Sequence, residues 1–315
     1  MKFEDVEKAR QELDSKSKRI WHRGLVICGI IVAVVLTVSL IFAGDQMSRN
    51  TVLFMLPAIL FVPFLCFVVL AIVSTIVTKN EVLEYRKAYK AYFVERIMRE
   101  TFTDLEYSHE KGISREYLKN TGMVSTGDSY GSNDLTVAKY KNVKFVQSDV
   151  HIQKQETDSD GNTYYVTLFK GRFMFFEFPK KFNFVLELIG KRTGAAMVPK
   201  SSKNGKRLEK MKTESGEFNQ RFKIFSEDGF EMFYILDPAF IEKIQAINDN
   251  YKGRVMFGFL ENKLMVGLND GKDSFEPPKP SRPIDEQAEL AKNQADIKVI
   301  TDFVDYLRLD KKLFQ

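Results

Sequence analysis

Two long uncharged apolar runs near the N-terminus constrain this chain more than anything else in it. The first extends from Leu25 to Ala43; the second, from Val52 to Val77, is interrupted only by Pro57 and Pro63. A bilayer core about 30 Å thick takes roughly 20 apolar residues of helix, and each run reaches that length. The polar break between them, Gly44 to Thr51, is too short for a domain and suits a reversal of the chain. The pattern predicts a transmembrane hairpin over residues 24–78, with spans at about 25–43 and 52–77.

Flanking charge sets the expected orientation. Lys16, Lys18, Arg19 and Arg23 precede the first run, and Lys79, Arg86, Lys87 and Lys90 follow the second. The turn offers only Arg49 against Asp45. The positive-inside rule therefore predicts a multi-pass protein of the cytoplasmic membrane with both termini in the cytoplasm. A cleaved signal peptide fits poorly. The first run is longer than a signal core, Ile41 stands where a small residue should precede a cut after Ala43, and a second run follows. Neither run holds a charge, which argues against a proton or ion relay within the membrane.

Composition narrows the chemistry of the rest. Both cysteines, Cys28 and Cys66, lie inside the apolar runs, so a disulfide or a cysteine zinc site in the polar part is excluded. His22, His109 and His151 are the only histidines. The formal net charge of +5 over 315 residues is mild and does not imply nucleic acid.

Residues 1–23 read as a charged cytoplasmic helix with Phe3, Val6, Leu13 and Ile20 at heptad-like spacing. Residues 79–107 read as a stalk helix, with Val82, Tyr85, Tyr89, Phe93 and Ile97 on one stripe. A hairpin would set these helices side by side, where they either pair as a short stalk or leave the first helix loose and solvated. Residues 108–315 read as a cytoplasmic α+β domain with a mainly antiparallel sheet and helices packed on it. Strands are expected over 141–153, 164–178, 183–189, 221–225 and 231–235. Two more, 254–260 and 264–268, would form a hairpin around Glu261–Lys263. Helices are expected over 114–119 and 237–248, the latter opened by Asp237 and Pro238, and over about 285–309. Residues 120–134 read as a loop, and Pro277–Pro283 as an extended linker rather than core.

Most site candidates have a plainer reading. Gly122 and Gly127 have phosphate-loop spacing, but Asp128 stands where the lysine is required. Asp158 and Asp160 before Gly161 resemble the start of a calcium loop. Thr167 occupies the position of the bidentate carboxylate, so a strand-to-strand turn fits better. Phe173, Phe175, Phe176 and Phe178 at strand spacing read as core. No catalytic, cofactor-binding or metal-ligating set emerges. The remaining candidate is a basic loop, Lys200, Lys203, Lys206, Arg207, Lys210 and Lys212, for contact with anionic lipid headgroups. Its plainer reading is a solvated loop. No groove-reading motif accompanies it, which argues against nucleic acid.

Phe169-Lys-Gly-Arg-Phe-Met-Phe175 followed by Glu177-Phe-Pro-Lys-Lys-Phe182 resembles a motif of bacterial membrane proteins catalogued as domain of unknown function 3137. Glu217–Asp228, Tyr234–Lys243 and Phe303–Leu309 are similar to the same family. The resemblance extends over most of the chain from the first apolar run onward. It implies a bacterial two-pass inner-membrane protein with a cytoplasmic domain, often encoded beside membrane-anchored helical proteins of the LemA type. It implies no activity. The expected function is a non-enzymatic, membrane-anchored binding or scaffold protein that engages a protein partner, a LemA-type protein among the candidates, or an anionic lipid surface. The alternatives are a tethered enzyme acting near the membrane and an oligomeric pore or transporter subunit; a homo-oligomer is among the expected partners.

Overall fold

The computed structural model describes residues 1–43, 49–122, 124–193, 208–252 and 254–309, and the chain divides into two compact units. The first unit comprises residues 1–92 and 277–286. Its helices are α1 (Phe3–Ala43), α2 (Arg49–Val77) and α3 (Lys79–Tyr89), the last followed by a π-helical turn, Lys90–Glu95. α1 runs unbroken through the charged segment and the first apolar run. Gly24 lets it approach α2 closely, because a Cβ there would lie 2.1 Å from Leu70 Cδ1. Trp21 and Phe67 pack nearby at 5.5 Å between ring centroids. α1 also packs on α3, with Lys16 Nζ 2.5 Å from Glu81 Oε1, and Phe3 lies against Tyr92 of the π-helical turn.

Among the described residues one helix is long and apolar enough to cross a membrane, Phe3–Ser39, with a mean hydropathy of 2.0 in its most apolar stretch. Phe61–Val77 meets that standard only together with the helical run beginning at Lys79, against which it is bent by 52°. Among the described residues there is thus one candidate span, or two if the bent pair is one span, where the sequence predicts two.

The proline-rich segment belongs to this first unit and is held in place. The Arg10 guanidinium donates to the Pro280 carbonyl at 2.5 Å, and the Tyr85 hydroxyl donates to the Pro278 carbonyl at 3.1 Å. Tyr92 bonds Glu286. Polar side chains from α1 and α3 thus bond carbonyls of a segment most of whose residues are exposed or half-buried.

The second unit comprises residues 93–276 and 287–315. Helix α4 (Arg96–Thr101) ends where Phe102 turns extended, and β1 (Thr103–Ser108) follows. The stalk helix expected to reach residue 107 therefore stops at Thr101. α5 (Arg115–Asn120) is capped by Ser114, whose side chain accepts from Tyr117 N. The long strands β2 (Ser129–Tyr140), β3 (Val143–Thr157) and β4 (Thr163–Gly190) come next. Residues 129–134, read as loop, open β2. Their turn-forming side chains are accommodated at a bulge between Asn133 and Thr136.

The remaining elements are β5 (Glu209–Met211), α6 (Gly216–Arg221), β6 (Phe222–Ser226), α7 (Gly229–Ile235), α8 (Pro238–Asn250), β7 (Val255–Leu268) and α9 (Glu286–Leu307). The seven strands form one antiparallel sheet in the order β1-β2-β3-β4-β6-β5, with β7 on the other edge of β4. The α+β class with an antiparallel sheet is thus what the chain adopts.

β4 is the spine of this sheet. Its first half pairs with β3, its last residues pair with β6, and β7 follows it from Arg172 to Ile189. The two strands expected over 164–178 and 183–189 are one. The ladder passes residues 178–181 through register shifts on either side of Phe182, and a shift of this kind accommodates Pro179. β7 likewise replaces the expected hairpin at 261–263. Glu261 adopts φ +54° and stays paired with Phe182, so β7 runs on through the triplet while the extra residues of the irregular ladder, 178–181 and 183–185, lie on β4.

Alternation along β4 divides the core. Phe169, Phe173, Phe175 and Val185 pack with Ile152, Met256 and Met265 on the α5 face, where Leu118 is buried. Phe176 points to the other face, against Phe145 and Phe303 of α9, and Phe240 of α8 meets Phe259.

Candidate functional site

Of the predicted basic set, Lys210 and Lys212 are exposed, on and just after the edge strand β5. Lys200, Lys203, Lys206 and Arg207 lie outside the described residues. The Asp158 carboxylate is consumed by its own turn, accepting from Asp160 N, Asn162 N and Asn162 Nδ2. Gly161 takes φ +85° in that turn, which joins β3 to β4. Gly127 packs on β3, where Asp128 Oδ2 accepts from Gln155 N. Phe173, Phe175 and Phe176 are core, and the side chain of Phe178 lies outside the described residues.

The sheet brings together a polar cluster that the sequence does not announce. Asn133, Asp149 and Arg172 stand opposite one another on β2, β3 and β4. Asp149 and Arg172 are both buried, with Oδ1 and Nε 3.7 Å apart, an ion pair without a hydrogen bond between those atoms. Asp149 Oδ2 accepts from Ser274 N at 2.8 Å. Arg172 donates to the Asp296 carbonyl of α9 at 2.6 Å and to the Ser274 hydroxyl, and lies over the Phe275 ring.

Burial pushes the Asp149 carboxyl up to about 7; Arg172 opposes that, while Asp134 and Asp273 add to it. Fully buried Asp134 sits at the β2 bulge with φ +56°, and accepts from the Tyr107 hydroxyl at 2.5 Å and from Asn133 Nδ2 at 2.8 Å. Burial and that carboxylate raise the Tyr107 phenol. Asp134, Asp273 and Glu276 offer oxygens within 4.8 Å of one another, a spacing that suits a divalent cation. Both Asp134 oxygens already have donors, and Asn133 Nδ2 also reaches Asp273 Oδ1 at 3.3 Å. The bonds described knit α9 and the segment after β7 to the sheet.

A second arrangement lies at the α7–α8 corner. Asp228 caps α7, its Oδ1 accepting from Phe230 N and Glu231 N, and Asp237 caps α8, accepting from Phe240 N. The two caps make a tight helix–helix corner. Residues 231–235, expected as a strand, are helical. The signal missed was Asp228 followed three residues later by Glu231, a helix-start pattern. Met232 and Ile235 are buried, whereas Phe230, Phe233 and Tyr234 are 71%, 49% and 63% exposed. Phe230 and Tyr234 stack edge to face at 5.6 Å. Beside them opens a groove of about 480 Å³ between Thr213–Ser215 and the first turns of α8.

A family model described as "Protein of unknown function (DUF3137)" matches residues 167–309, a shorter reach than the resemblance suggested. No curated protein matches. One similar solved structure is the crystal structure of the mycobacterial trehalose monomycolate transport factor A, TtfA. It is 9% identical, with 71% of this chain and 93% of that one covered and a TM-score of 0.36. A likeness at that level carries no argument about this chain.

Proposed function

We propose that this chain, a DUF3137 protein over residues 167–309, is a membrane-anchored docking protein that holds a protein partner at the cytoplasmic face of a membrane. The observation that carries the binding role is α7. A domain that buries phenylalanines throughout its sheet leaves three aromatic side chains of one short helix open to solvent. Exposed aromatics grouped in this way mark interaction surfaces.

The anchoring role is supported by α1, whose Leu25, Ile27 and Ile30 are each more than half exposed along its apolar run. The same holds on α2 for Phe61, Phe64 and Ile76. Such surfaces are stable in lipid, and in our reading both helices span, with both termini cytoplasmic as the flanking charges require. No enzyme chemistry is invoked, and the uncharged spans offer no selectivity element for a pore.

The test uses the full chain in its native membrane. A photoreactive residue is placed at Phe230, Phe233 or Tyr234, with Tyr164 and Tyr165 as exposed controls elsewhere. A single partner of defined mass is expected from the α7 positions, recovered reciprocally when that partner is tagged. Equal adducts from the control positions would sink the proposal. Resistance to alkaline extraction tests the anchor. Exposed Lys210 and Lys212 favour a second reading, contact with anionic lipid. It requires salt-sensitive binding of anionic over neutral vesicles that Lys210→Glu with Lys212→Glu abolishes.

A further inference from the structure

We infer that the groove at the α7–α8 corner takes a basic segment of the partner protein that also carries apolar side chains, in helical or extended form. This rests on the docking role proposed above and names the chemistry of the occupant.

Three observations converge. First, the groove has an apolar floor and an acidic rim. Phe233, Leu236 and Ile241 line it together with Glu214, Asp237 and Glu242, and among the described residues no lysine or arginine lines it. Lys243 feels Asp237 but is itself partly buried, its ammonium disfavoured by burial and by Arg308, and Lys212 precedes the groove. Three carboxylates around an apolar floor attract ammonium or guanidinium groups and repel anionic headgroups, so a membrane surface is the wrong occupant.

Second, Gln245 lines the groove with its Nε2 buried and without a hydrogen-bond acceptor among the described residues. A buried donor left unpaired is unfavourable, and a carbonyl of an incoming peptide satisfies it. Third, the half-exposed Phe233 lines the groove on the helix that also leaves Phe230 and Tyr234 exposed, the rigid aromatic area on which hot spots of binding are built. About 480 Å³ receives a few side chains of one segment, the scale of peptide recognition.

The test uses the full chain in nanodiscs of neutral lipid, with empty nanodiscs as the blank. Two fluorescent amphipathic peptides are compared by anisotropy, one of leucine and lysine and its counterpart of leucine and glutamate. The lysine peptide is expected to bind and to weaken as salt rises, and the glutamate peptide not to bind. Glu214→Lys with Glu242→Lys, both exposed and outside the core, should weaken binding about tenfold or more. Phe233→Ser should do the same, and Lys210→Glu with Lys212→Glu should not. Thermal unfolding confirms that each variant is folded.

Equal binding of both peptides, or indifference to the charge reversals, overturns the inference. So does self-association abolished by the groove variants, which would make a second copy the occupant, or vesicle binding that depends on Phe233. Failure here with α7 crosslinking to a tagged partner intact removes only the basic-segment chemistry. Loss of both removes the docking role.

Discussion

Glu187 is fully buried in β4, opposite Phe225 on β6 and Gly258 on β7, and neither carboxylate oxygen has a hydrogen-bond partner among the described residues. Burial raises its pKa well above the usual carboxylate value of 4.5, favouring the neutral acid in the folded chain. Because the folded pKa lies above the unfolded one, the folded state binds the extra proton. Its contribution is therefore complete below about pH 4.5 and is lost as pH rises toward the folded pKa. Asp149 acts with the same sign, between its ordinary 3.8 and about 7. Glu187→Met is expected to remove the Glu187 part of this slope and, by eliminating an unpaired buried group, to stabilise the chain at neutral pH by about 1–3 kcal/mol. Thermal unfolding of the detergent-solubilised chain at pH 5 and pH 8 reads both effects. A wild-type chain no less stable at pH 8, or a variant with an undiminished slope, refutes the assignment.

Among the elements, what was legible in the sequence was whatever local chemistry determines. Ser114 before α5 and Asp237-Pro238 before α8 announce helices because an N-cap needs only its own next residues. The Asp158–Gly161 turn was readable for the same reason. Decisions made across the sheet were not. Pro179 and the triplet Glu261–Lys263 look like strand breaks, but β4 and β7 pair with each other and carry both through as register shifts. The polar cluster was invisible because Asn133, Asp149 and Arg172 meet only once three strands are in register.

Gly171 shows how strictly that register is held. It takes φ +152°, and a Cβ there would sit 2.0 Å from the Leu268 carbonyl oxygen of β7. Gly171→Ala should therefore force β4 and β7 apart and cost about 1–3 kcal/mol, against a few tenths for an exposed strand change such as Tyr165→Thr. Comparable melting temperatures for the two variants would show that the close approach is not required.

For the whole molecule, the chain's order in space departs most from its order in sequence at residues 277–286, which belong with the N-terminal helices rather than with the sheet domain on either side. Composition alone reads four prolines as a spacer; the contacts that fix them come from far along the chain. Arg10 is the principal clamp. It is buried, its guanidinium is paired with Glu7, which raises its pKa, and it reaches the Pro280 carbonyl 270 positions away. A charged donor to a carbonyl contributes about 1.5–3 kcal/mol when its loss leaves the acceptor unpaired. Arg10→Ala should therefore open the segment locally rather than unfold the chain. Hydrogen exchange should rise roughly ten- to hundredfold at the amides of Lys279, Ser281, Arg282 and Ile284, as that free energy implies. Amides of β3 and β4 should keep their protection. Lys8→Ala, on an exposed position of the same helix, should change nothing. Arg10→Lys retains the charge but not the forked geometry and should fall between the two. Unchanged exchange over 279–284 in Arg10→Ala would mean that the Tyr85 and Tyr92 contacts suffice to hold the segment and that the arginine's pairing with Glu7 does not bear on it.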